Sequence, residues 1–308
     1  MREGKTYPFS IPRYYLRINM NDADSEWREI TKKQRQISTY KSSAEFFSIQ
    51  LFVDKMVQNL KTGGMKRVSD QLAALDIPPG SSVLDIGAGP GTLAVPLAGA
   101  GCRVTVVEPS KPMVRAMEEY RKFLSVDAEI GVIAGVLEDL DEKRLGRHEY
   151  VISSFALSVP DLKDALKKMH QAASKEVHIF WFMNDTAWDV TYTRLWESLH
   201  GEKYWAKPKA DVIWNCLFQM GIYADIAVYP MKDERGYPDL ENAVSEYADR
   251  MEARDQRQKE IIRKYLDSVL VRGANGSLVF PDEGLYAHIS WKVDLPGTNT
   301  NLSPPQIL

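Results

Sequence analysis

Apolar positions along the chain change their period twice. Upstream of residue 76 they recur every three or four residues. Ile49, Phe52, Val53, Met56, Val57 and Leu60 form one stripe, and Met65, Val68, Leu72 and Leu75 a second. Ser42 with Glu45 makes a capping box ahead of the first stripe, and Gly63-Gly64 stops it. Two helices are therefore predicted, the second ending before the breaker Ile77-Pro78-Pro79-Gly80. From Ser82 onward, short β-branched runs alternate with helical stripes. Strands are predicted over 82–86, 103–108, 128–134, 149–153 and 176–183, and helices over 92–98, 111–124 and 161–173. Met113, Met117, Tyr120 and Leu124 share one helical face, as do Leu162, Leu166, Met169 and Ala173. Such alternation with short links implies parallel strands joined by right-handed crossovers. The strands are almost wholly apolar, as a sheet covered on both faces requires.

After Met183 the rhythm breaks. Residues 184–221 read as helical and rich in tryptophan, 222–229 as a strand, 237–272 as charged helix and 285–293 as a last strand. The first 24 residues show no period and read as irregular. The pattern divides the chain into five parts. Residues 1–64 are an extension and helix that cap the fold, 65–183 a core, and 184–221 a tryptophan-rich helical lid. Residues 222–294 hold late strands with a helical insertion, and 295–308 a loose tail.

Composition narrows the class. With 44% hydrophobic and 26% charged residues, the chain is neither fibrous nor disordered. A net charge of −3 gives no basic surplus for nucleic acid or an anionic membrane, and the charge run at 252–264 mixes both signs. Two cysteines, Cys102 and Cys216, make no disulfide scaffold and fit a reducing cytoplasm, so a cytoplasmic location is expected. No membrane span is expected. The five histidines have no metal-site spacing, so no metal is expected.

The chemistry concentrates in Val83-Leu84-Asp85-Ile86-Gly87-Ala88-Gly89-Pro90-Gly91-Thr92, a strand running into a glycine-rich turn that opens a helix. Glycine permits positive φ and close approach of a ligand to the main chain. The helix start offers unpaired N–H groups. Glu108 ends the next strand, where a carboxylate can accept from ribose hydroxyls. The dinucleotide fingerprint needs a third glycine at its sixth position; here the glycines fall first, third and fifth, and Thr92 is sixth.

With Asp85 two residues before the first glycine, this string resembles motif I of class I S-adenosylmethionine-dependent methyltransferases. The run 104–110 followed by Met113 resembles the family's second motif, 135–140 its third, and 150–155 its fourth. The resemblance implies a doubly wound, Rossmann-like α/β core. Its sheet would have seven mostly parallel strands with the last antiparallel, for which 285–293 is the candidate. It also implies S-adenosylmethionine as cofactor. Asp85, Gly87, Ala88, Gly89 and Gly91 would hold the methionine moiety and Glu108 the ribose. Pro109 would belong to the cofactor site and Met113 would lie near the adenine, with Leu137 offering its N–H to the ring. Val136 stands where many members have aspartate, so Glu138 or a backbone carbonyl would replace that contact. Ser154 and Phe155 would sit beside the cofactor, facing the acceptor. Trp188, Tyr192 and Trp196, spaced by four on one helical face, are candidates for the acceptor pocket or for simple core packing. Tyr14, Tyr15, Asp185 and His200 are candidates for a base, with no choice among them. The expected acceptor is a small molecule; the alternatives are an RNA or protein acceptor, or a cofactor-binding protein without catalysis.

Overall fold

The structure is a computed structural model that describes residues 22–37, 50–61, 66–231, 236–282 and 284–293. Seven strands form the main sheet: β1 (Ser82–Ile86), β2 (Arg103–Val107), β3 (Gly131–Ile133), β4 (His148–Ser154), β5 (Ala173–Phe182), β6 (Asp225–Pro230) and, last in the chain, β9 (Leu285–Lys292). Their order is β3-β2-β1-β4-β5-β9-β6. β1 to β5 pair in parallel, while β9 runs antiparallel to both its neighbours, β5 and β6. The antiparallel strand is the one expected. A small antiparallel pair, β7 (Val271–Arg272) with β8 (Leu278–Val279), lies outside the sheet.

Central strands are apolar because helices cover both faces. In β1 every residue after Ser82 is buried. β3 is shorter than the predicted 128–134 and largely exposed, since it is an edge strand with one neighbour. The helices in chain order are α1 (Ala23–Arg35), α2 (Gln50–Lys61), α3 (Lys66–Leu75), α4 (Ala94–Gly99), α5 (Lys111–Phe123), α6 (Glu142–Leu145), α7 (Leu162–Ala172), α8 (Ala187–His200), α9 (Ala210–Gln219), α10 (Leu240–Arg250) and α11 (Gln256–Val269). Helix α5 starts where Ser110 Oγ accepts from Met113 N, and it buries Met113, Ala116, Met117 and Tyr120. Leu124, placed on that face from sequence, lies past the helix end and is 40% exposed. Ala173, assigned to the face of α7, is the first residue of β5.

Two helices were not legible: α6, a single turn, and α1. α1 falls at the edge of the segment read as irregular. It buries only Ala23, Asp24, Trp27 and Thr31, a stripe too narrow and polar to show a period. Trp27 nevertheless anchors it: the side chain is 1% exposed and its Nε1 donates to Val159 O at 2.8 Å. α1 packs on α7 and α9, so α9 is a core helix. The segment read as a lid, 184–221, is thus split. α8 joins α10 and α11 around a separate apolar cluster that includes Leu195, Trp196, Val244, Tyr247 and Ile262, a helical unit with its own core that is called the cap below. Of the capping box, stop and tail read at 42–45, 63–64 and 295–308, none lies within the described residues; nor do Tyr14 and Tyr15.

Candidate functional site

At the carboxyl edge of the sheet β1 leads into the glycine turn. Gly87, Gly89 and Gly91 all have positive φ. Their surroundings separate them. A Cβ on Gly87 would collide with that of Ala156, in the loop after β4. One on Gly91 would lie 2.6 Å from Met117 Cγ and 2.8 Å from Val95 Cγ2. Those two glycines are explained by packing within the protein. Among the described residues nothing lies within 4 Å of a Cβ on Gly89, so its backbone is open to them. Ala88, between them, is buried in the core beside α4.

Two carboxylates lie beneath this turn. Glu108 Oε2 accepts from Gly89 N at 2.9 Å and Oε1 from Ser110 N at 2.8 Å, with the side chain 6% exposed. Burial raises its pKa, and the two backbone donors only partly offset that. Asp85 is 2% exposed, and no described group donates a hydrogen bond to it. Burial, then the neighbouring Glu108 charge, pushes its carboxyl up to about 7. It therefore does not brace the loop. Two buried carboxylates beside an open glycine suit a ligand that brings donors or positive charge.

The remaining cofactor-side residues are spread around this point. Pro109 is exposed at the end of β2. Met113 is 1% exposed and lies under Val53 and Val57 of α2, so it is covered as well as near. Leu137 opens a 3₁₀ turn with Glu138 and Asp139, whose first N–H groups have no partner within the turn. Lys168 Nζ, missed from sequence, holds the Leu137 and Glu138 carbonyls at 3.2 and 2.8 Å. The Glu138 side chain is half-buried.

On the β4 side, Ser154 Oγ accepts from Gln71 Nε2 of α3 at 3.1 Å. Phe155 has a φ of 56°, a left-handed conformation rare outside glycine. Its ring lies 4.7 Å from that of Phe182 and 5.9 Å from that of Tyr286, with the Arg67 guanidinium 4.8 Å above it. Tyr286, also missed from sequence, is fully buried, and its Oη has no partner among the described residues. Burial pushes its phenol up to about 12.

The aromatic stripe points into the cap. Trp188 stacks on Tyr247 at 4.4 Å, Tyr192 meets Trp196 at 5.6 Å and Tyr204 at 5.1 Å, and Trp196 meets His200 at 4.3 Å. The packing alternative is the one these contacts describe; the stripe is not brought together with the 87–91 turn by any of them. Of the base candidates, His200 Nε2 bonds to Met251 O at 2.8 Å, and Asp185 pairs with Lys209 at 3.0 Å. Both are engaged structurally. Among the described residues no group of His, Cys, Asp and Glu could hold a metal ion, and no helix is long and apolar enough to cross a membrane.

A family described as "Methyltransferase domain" matches residues 83–176, the stretch from β1 into β5. The part of the chain that carries the glycine turn, Asp85 and Glu108 is therefore similar to a methyltransferase domain. A curated relative, an uncharacterized protein of Haemophilus influenzae, is 24% identical over 246 residues, covering 78% of this chain and 87% of its own. Among solved structures, a putative methyltransferase from an antibiotic biosynthesis pathway of Anabaena variabilis is 18% identical. It covers 73% of this chain and 96% of its own, with a TM-score of 0.48. The magnesium protoporphyrin IX methyltransferase of Synechocystis, solved with S-adenosylhomocysteine, is also 18% identical. It covers 68% of this chain and 88% of its own, with a TM-score of 0.42.

Proposed function

We propose that the chain uses S-adenosylmethionine to methylate a small molecule held between the carboxyl edge of the sheet and the helical cap. The observation that carries the cofactor half is the open Gly89 backbone beside two buried carboxylates. When bound, the cofactor supplies an electrophilic methyl on a positively charged sulfur. The protein's own contribution is binding and orientation. Asp85 takes a cationic donor group, which ends its lack of a partner. Each Glu108 oxygen, already holding one backbone N–H, keeps a lone pair for a hydroxyl. The 137–139 turn offers its N–H groups to the adenine ring.

The small-molecule half rests on what surrounds the other side of the turn. Phe155, Phe182 and Tyr286 form an apolar aromatic wall, and α8 leaves the sheet immediately after β5 to build the cap. A wall of that kind excludes water and fixes an acceptor in line. A flat polymer-binding face would need basic residues; the net charge is −3. Calorimetric titration with S-adenosylmethionine, S-adenosylhomocysteine and NAD tests the reading. Saturable binding of the first two and none of NAD is expected. Tight NAD binding with no heat from S-adenosylhomocysteine would overturn it.

A further inference from the structure

The loop between α8 and α9 carries a lysine with no acidic partner among the described residues. Lys207 is half-buried, and its Nζ lies 6.0 Å from the Trp181 ring centroid and 5.8 Å from that of Phe182. Among the described residues it makes no ion pair. The acid that acts on it, Asp189, is already bound to Lys209 at 2.8 Å, and Lys209 also takes Asp185 at 3.0 Å. The loop is pinned rather than free: Trp181 Nε1 donates to Pro208 O at 2.8 Å, and Gln34 Nε2 to Trp205 O at 3.0 Å. Lys207 is thus held beside ring faces, partly desolvated, with its one acidic neighbour occupied. An ammonium in that position is costly unless an anion comes to it.

The place is also the right one. Phe182 ends β5 and touches Phe155, and Phe155 precedes Ala156, against which the Gly87 backbone is packed. One aromatic pair therefore separates Lys207 from the glycine turn.

We propose that Lys207 is the anion anchor of the acceptor pocket, and that the acceptor is a small carboxylic acid whose apolar body lies against Phe182 and Phe155. This rests on the methyltransferase reading above and narrows its substrate class. A single ammonium offsets a single negative charge, which favours a carboxylate over a phosphate dianion. The flanking rings ask for an apolar group beside the charge, and they support the cation through their faces. Burial holds the Lys207 amine below the usual lysine range, and a carboxylate at this point acts in the opposite direction. The charged groups facing it are Asp189, which raises it, and Lys209, which lowers it further.

The test uses the full chain saturated with S-adenosylhomocysteine and titrated with benzoate, phenylacetate, their two amides and phenyl phosphate. The carboxylates should bind at least about tenfold more tightly than the amides or the phosphate, as loss of a charged hydrogen bond requires. Lys207→Met should lose roughly tenfold or more in carboxylate affinity, while Lys207→Arg keeps most of it. Affinity for S-adenosylhomocysteine should be unchanged in both. Carboxylate binding as tight in Lys207→Met as in the parent would overturn the proposal. So would amides or phenyl phosphate binding as well as carboxylates, or no carboxylate binding at all to a chain that binds S-adenosylhomocysteine. Failure of the parent to bind S-adenosylhomocysteine would instead bring down the reading beneath it.

Discussion

Two buried pairs of titratable groups sit in the same sheet and behave in opposite ways. Asp85 and Glu108 lie at the carboxyl edge, next to the open Gly89 backbone. His178 and His288 lie within β5 and β9, with His178 Nδ1 and His288 Nε2 3.1 Å apart and His288 stacked on Phe180 at 4.5 Å. Burial acts on both pairs by disfavouring charge. It raises the acids and lowers the imidazoles, Asp85 to about 7, His178 to about 3 and His288 to about 4. The histidines meet each other and aromatic rings: neutral, they share one hydrogen bond, and His178 Nε2 lies 3.5 Å from Glu176 Oε2. The acids meet a cleft, where a ligand can restore what burial takes away. Equal burial therefore means core packing in one place and a binding site in the other.

The largest effect that would sharpen this contrast is on stability in acid. Each histidine has its pKa lowered from 6.5, so its contribution is present above pH 6.5 and is lost as pH falls toward about 4. Asp85 has the opposite sign. Raised from 3.8 to about 7, its charged form opposes folding above that window, and stability returns as pH falls through it. Denaturant titrations from pH 7 to 4 should show His178→Gln and His288→Gln, each made singly, losing less stability than the parent, by roughly 3 kcal/mol over the range. Parallel curves would mean the pair is not held neutral.

Next in size is Glu108→Ala. It removes the acceptor for Gly89 N and Ser110 N, and S-adenosylhomocysteine binding should weaken by roughly 1–3 kcal/mol while the thermal transition stays cooperative. Calorimetry and a melting curve on the same sample check both halves. Smaller again, Asp85→Asn should stabilise the unliganded protein at pH 8 by about 1 kcal/mol, because a neutral side chain replaces a buried charge with no donor. Destabilisation would show that Asp85 is held by partners after all.

Most of the sheet was legible because strands and helices alternate with clear periods. The motif-bearing strand β1 and the start of α5 at Lys111 fall where the pattern put them. What escaped did so for physical reasons. α1 is fixed by one tryptophan, and β7 and β8 are two residues each, too short to show alternation. The three glycines read alike as letters, yet only Gly89 is open; the other two answer to Ala156, Val95 and Met117. Lys207 and Tyr286 lie some 50 and 130 residues beyond the last motif, and only the return of the loop and of β9 to the carboxyl edge brings them to Phe155 and Phe182. The aromatic stripe of α8 had the right period and a different neighbour, the cap's own core.

The account stands or falls most directly on how S-adenosylhomocysteine affinity depends on pH in the parent and in Asp85→Asn. Asp85 titrates near 7 in the unliganded protein, and its charged form is the one that pairs with a cationic ligand group. Calorimetry at pH 6, 7 and 8 (assay settings of about one unit either side of that value) should therefore show affinity rising with pH in the parent and a flat profile in Asp85→Asn. A flat profile in the parent, or the same rise in the variant, would contradict the placement of the cofactor at this pair of buried acids.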